Sequence, residues 1–205
     1  MLQLWGDCET TGIDPSISGA FEFAFLVYDN GLFKEERVFH LNPLTETILW
    51  SEEAYRVNGV SEETIRAYPP AETVMREIAI WLLPYLFPGV SDKAELERKS
   101  AETQPDNKFV FAGYCANFDY GHLKALFERH DISMSYFFDG RIIDVYELVK
   151  QAYAKRVIKY TPNKKLETMT KALGIPHDSA HTALSDIWAT RKLYETIYAM
   201  GRRGK

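Results

Sequence analysis

Two carboxylates one residue apart, Asp7 and Glu9 in the stretch "GDCETTG", follow directly on the apolar run Leu2-Gln3-Leu4-Trp5. Successive side chains of a strand point to opposite faces, so the two acids share one face and Cys8 points to the other. Their Cα atoms then lie roughly 6 to 7 Å apart, close enough for both carboxylates to serve one or two hard cations. Without a cation at least one of them has to take up a proton. The plain alternative is that acids ahead of Thr-Thr-Gly only form a turn and cap a helix. Two distant segments argue for chemistry instead. Asp119, in "NFDYGHL", stands just after an apolar strand at the start of a helix, and "HTALSD" sets His181 five residues before Asp186 at the front of the last helix. An all-oxygen ligand set favours Mg²⁺ or Mn²⁺ over zinc.

His181 differs in kind from the acids. At about 100° per residue, five helical steps leave it about 140° from Asp186, so it belongs on the looser entry to the helix, where it reaches water rather than metal. A neutral imidazole, with its ordinary pKa near about 6.5, can take a proton from water at physiological pH. His40, His122, His130 and His177 read as ordinary solvated or core residues.

These groups need a scaffold that brings residues 7, 119 and 186 together. "LQLWGDC", "AFEFAFLVYD" (20–29) and "LFKEERVFHL" (32–41) read as strands, the last two joined by Asn30-Gly31, a dipeptide suited to a type I′ hairpin turn. Ser51 and Ser61 are placed to cap short helices, and a helix over 71–83 is expected to end at Pro84. Residues 88–108 are polar and bracketed by prolines, and read as an insertion or mobile loop. Strand and helix then alternate: 108–114, a helix from about Asp119 to His130, 140–144 with Asp144 capping the next helix, a helix over "KKLETMTKALG" and one from about Ser179 to Met200. The expected fold is therefore α/β, three antiparallel strands continued by parallel ones in a mixed sheet flanked by helices, as a single domain over 1–205.

Length and composition agree with one globular unit. The 205 residues are 46% hydrophobic and 26% charged. The net charge is −5, from 24 basic and 29 acidic residues, so a polyanion needs local basic patches or bound cations to stay attached. Two cysteines without CxxC spacing point to a reducing compartment and no structural zinc. The N-terminus lacks a basic leader, and the apolar run 78–90 is too short for a membrane span, which favours the cytoplasm.

The three blocks "DCETTG", "NFD" and "HTALSD", in this order, resemble the DEDDh group of 3′-5′ exonucleases, and "YRVNGVSEETIRAYPP" (55–70) is similar to a linking segment of that family. The resemblance covers most of the chain apart from 88–108 and the last few residues. It implies a ribonuclease-H-like fold, with Asp7, Glu9, Asp119 and Asp186 holding two Mg²⁺ or Mn²⁺ ions and His181 as general base. Two departures stand out. Tyr114 and Cys115 occupy places where the family commonly has His-Asn, and Ile13 stands where it often has Leu.

The resemblance places Thr10 at a 3′ end and Ile13 as a wedge against the last base, with Thr11, Gly12 and Phe118 beside them as substrate-binding residues. A simple turn with Gly12 at positive φ is the alternative for this loop. Lys159 and Tyr160 lie in a basic stretch, 155–165, that can track a single-stranded backbone while an aromatic stacks a base, or merely face solvent. The expected function is metal-dependent 3′-5′ hydrolysis of single-stranded DNA or 3′ overhangs, releasing nucleoside 5′-monophosphates. An RNA-trimming nuclease and a catalytically silent nucleic-acid- or polymerase-binding module are the alternatives.

Overall fold

Leu2–Thr10 (β1) is a strand buried along most of its length, the apolar runs Ala20–Asp29 (β2) and Phe109–Gly113 (β4) join it, and the more polar Leu32–His40 (β3) and Phe138–Asp144 (β5) form the edges. The computed structural model describes residues 1–45, 48–177 and 182–203. One sheet runs in the order β3-β2-β1-β4-β5. β1 pairs antiparallel with β2 and parallel with β4, so the mixed sheet expected from the sequence is present with β1 at its centre. Asn30 and Gly31 both take positive φ (51° and 81°), as a type I′ turn requires.

The helices are Glu52–Asn58 (α1), Glu62–Arg66 (α2), Ala71–Leu86 (α3), Lys93–Glu102 (α4), Asn117–Glu128 (α5), Met134–Phe137 (α6), Val145–Ala154 (α7), Leu166–Ala172 (α8) and Ala183–Arg203 (α9). Ser51 and Ser61 accept from backbone N–H groups at the starts of α1 and α2, and Asp144 accepts from the Tyr146 N–H at the start of α7. Two local expectations need correction. Pro84 lies inside α3 and does not end it, because it sits on the exposed side in the last turn, where water can satisfy the carbonyl it leaves unpaired. Residues 93–102 are helical where a loop was expected. They bury no side chain, and the helix is laced by the pairs Lys93–Glu97, Glu95–Lys99 and Arg98–Glu102.

Helices cover both faces of the sheet. Phe23, Phe25, Phe109 and Phe111 pack against Ile78, Trp81 and Leu82 of α3 and Leu123 and Phe127 of α5. On the other face Trp5, Leu26 and Ala112 pack against Val145 and Val149 of α7 and Ile187 and Leu193 of α9. Each such side chain contributes roughly 1.5–3 kcal/mol when fully buried. α9 is fastened further by Trp188, whose indole N–H donates to Glu36 (2.6 Å), and by Arg191, caged between the rings of Trp5, Tyr28 and Tyr194. Among the described residues no helix is long and apolar enough to cross a membrane.

One close approach bears directly on the site. A Cβ on Gly113, at the end of β4, would stand 2.8 Å from the backbone oxygen of Gly6 on β1. The two strands can come together here because Gly113 carries no side chain; Gly6 is a glycine for another reason, since a Cβ there would stand 2.8 Å from the Phe111 ring.

Candidate active site

Strand alternation puts Asp7 and Glu9 on one face of β1, while Cys8 between them points into the core. Asp119, in the first turn of α5 and 3% exposed, reaches β1: its Oδ1 accepts from the Cys8 backbone N–H at 3.0 Å. The peptide between the two β1 acids thus fixes the third. Asp186 comes from the first turn of α9. Its Oδ1 lies 2.7 Å from His177 Nε2.

A fifth acid, Glu22 on β2, faces Glu9 across the ladder. Its Oε1 accepts from the Ala183 N–H (3.1 Å) at the start of α9, and its Oε2 lies 2.9 Å from His40 Nε2.

These acids share one electrostatic field. Burial, then Asp119, Asp186, Glu9 and Glu22 in that order, hold the Asp7 carboxyl well above the usual range. Burial and then Glu22, Asp186 and Asp119 push Glu9 up to about 8. Burial lifts Asp119 to about 7, although its hydrogen bonds with Cys8 pull the other way. The donor set fits a hard divalent cation: Asp119 is buried and the others are half-buried, they supply only oxygen, and they carry charge that they cannot relieve for one another. Among the described residues no three such donors stand close enough, as they are, to enclose an ion. His181 lies outside the described residues.

Beside the acids opens a cleft of about 620 Å³. Thr10, Thr11, Gly12, Ile13 and Phe118 all line it, together with Glu9. The loop after β1 is held shut on itself: Thr11 N–H donates to Gly19 O (2.9 Å), Gly19 N–H to Thr11 Oγ1 (3.1 Å), and Thr10 Oγ1 to Gly12 O (2.8 Å). Ile13 is left 82% exposed. Gly12 does not take the positive φ that a simple turn predicts; a Cβ there would meet Ser18 Cβ at 3.0 Å, so close packing explains the glycine. Phe118 leans on His122, with ring centroids 4.8 Å apart, and burial pulls the His122 imidazole down to about 4, so the ring is neutral at physiological pH.

The other predicted contacts lie elsewhere. Lys159 and Tyr160 are not part of this cleft; Tyr160 is 81% exposed and tilts against Tyr153. Tyr114 hydroxyl donates to the Lys164 carbonyl, which ties the basic stretch to the end of β4. Cys115 takes a left-handed backbone, φ 56°, a conformation that asparagine tolerates better than cysteine does.

Several site residues escaped the sequence reading. Glu22 is the one charge in the interior of an apolar strand that ends at Asp29, and His177 precedes His181 by four residues; these were the available signals. Trp50, Val57 and Asn58, which complete the cleft wall, carry none.

The family model described as an exonuclease, RNase T, matches residues 93–194, the part that contains Asp119 and Asp186. No curated protein sequence matches the chain. Among solved structures the fold is similar to that of exonuclease I from E. coli in its zinc-bound complex with single-stranded DNA (TM-score 0.78, 22% identity, covering 98% of this chain and 41% of that one). The same enzyme with a dT13 oligonucleotide (0.78, 22%, 98% and 42%) and a product-bound exonuclease I (0.76, 22%, 98% and 44%) are similar to the same degree. The fold is thus ribonuclease-H-like, as the sequence implies, and the chain spans less than half the length of these exonuclease I chains.

Proposed function

Because this chain carries, over residues 93–194, a domain of the RNase T exonuclease family, we propose that it is a metal-dependent 3′-5′ exonuclease that degrades single-stranded DNA to nucleoside 5′-monophosphates. One observation carries the reading. Asp7, Glu9, Asp119 and Asp186, from three separate elements, act on one another at the edge of a cleft large enough for a terminal nucleotide.

Asp7, Glu9, Asp119 and Asp186 would hold two divalent cations, Mg²⁺ or Mn²⁺, which when bound neutralise charge on the attacked phosphate and favour ionisation of the attacking water. The chain's own groups do the rest. His181 accepts the proton of that water. The locked loop at Thr10, Thr11 and Gly12 seats the 3′-terminal sugar, and Ile13 and Phe118 offer apolar surface to the last base. Lys159 and Tyr160, beyond the cleft, track the strand upstream of it. The match to exonuclease I, solved with single-stranded DNA, supports DNA as substrate.

The test is digestion of 5′-labelled DNA and RNA oligonucleotides with Mg²⁺ or Mn²⁺, with and without chelator. The expected result is a ladder of DNA shortening from its 3′ end, abolished by chelator and by Asp186→Ala. Undiminished digestion by Asp186→Ala overturns the site assignment, and faster shortening of RNA overturns the choice of substrate.

A further inference from the structure

His177 lies outside the acid set, yet its side chain is only 5% exposed and its Nε2 stands 2.7 Å from Asp186 Oδ1. An ionised carboxylate can only accept, so Nε2 carries the hydrogen and donates. The other ring nitrogen, Nδ1, lies 3.4 Å from Thr170 Oγ1 of α8, a hydroxyl whose single hydrogen goes either to Nδ1 or to the Glu167 carbonyl at 3.0 Å. The ring has Thr170 of α8 behind it and presents a single N–H to one oxygen of Asp186.

We infer that His177 is a positioning residue: it fixes the carboxylate of Asp186 so that one oxygen faces the metal site, and it acts on the reaction only through Asp186. The inference rests on the nuclease reading above. Partners that orient a ligand carboxylate count heavily in metal sites, because an unrestrained carboxylate must be ordered at the moment of binding.

The experiment compares the parent with His177→Phe, which keeps a ring but has no donor, and His177→Gln, whose amide N–H can donate again. Mn²⁺ binding is read by calorimetry without substrate, and kcat and KM are read on single-stranded DNA. Circular dichroism verifies that each variant is folded. His177→Phe is expected to weaken Mn²⁺ binding by about 10- to 100-fold and to lower kcat with KM little changed, while His177→Gln restores most of both. If His177→Phe binds Mn²⁺ as tightly as an active parent, the inference falls and the nuclease reading stands. If Phe and Gln impair binding equally, the ring only packs and the donor role is wrong. A parent that binds no Mn²⁺ and digests no oligonucleotide brings down the nuclease reading, and this inference with it.

Discussion

Glu9 stands directly opposite Glu22 across the β1–β2 ladder, two carboxylates where a sheet is stabilised by opposite charges. With burial, this pairing pushes Glu9 up to about 8. A carboxyl whose pKa is raised on folding binds its proton more tightly in the folded chain. Its stabilising contribution is complete below the ordinary value of 4.5 and is lost as pH rises through about 8. In chelator, the Tm should fall between about pH 5 and about pH 8, and Mn²⁺ added at the upper end should restore it by binding the folded state. A flat Tm across that range would contradict the crowding of the acids.

Asp7 is buried in the middle of this repulsion. Asp7→Asn removes the charge and keeps the shape, so the metal-free protein should melt no lower than the parent and lose its Mn²⁺-dependent rise in Tm. Exonuclease activity should drop by more than about 100-fold, beyond what loss of an outer partner usually costs. Gain of apo stability with loss of turnover is the paired signature to look for.

Phe118 offers the cleft an aromatic face that is propped from behind by His122. Stacking of a base on such a ring is worth roughly 1–3 kcal/mol. Phe118→Ala should therefore raise KM for single-stranded DNA by about 5- to 100-fold with a smaller effect on kcat. Phe118→Trp should keep KM near the parent's. Steady-state kinetics on a labelled oligonucleotide separate the two.

Gly113 meets Gly6 where β4 runs beside β1. A methyl group at Gly113 would press on backbone, which cannot rotate away as a side-chain tip can. Gly113→Ala should cost about 1–3 kcal/mol in denaturant unfolding, the range for an overpacked core. An unchanged midpoint would mean that the strands part easily.

The acids were legible because charge at the mouth of an apolar strand has few uses, and because three such blocks recur in one order. The hairpin at Asn30-Gly31 was legible because its backbone demands those residue types. Glu22 was not, since its meaning depends on register: only pairing opposite Glu9 makes it part of the site. His177 was hidden for a related reason, because its partner lies nine residues ahead and spacing along the chain says nothing of that contact. α4 escaped for want of an apolar stripe, although its charges at i and i+4 were a usable signal. The cleft wall around Trp50 and Val57 exists only once α1 packs beside the loop after β1.

α9 delivers Asp186 and is clamped to the sheet by Glu22, Trp188 and Arg191, contacts that reach back more than 150 residues along the chain. A nascent or misassembled polypeptide in which this helix has not yet docked therefore holds three acids and lacks the fourth. On the proposed function, cutting therefore waits on completed tertiary structure, because the last of the four acids arrives only with the docked helix.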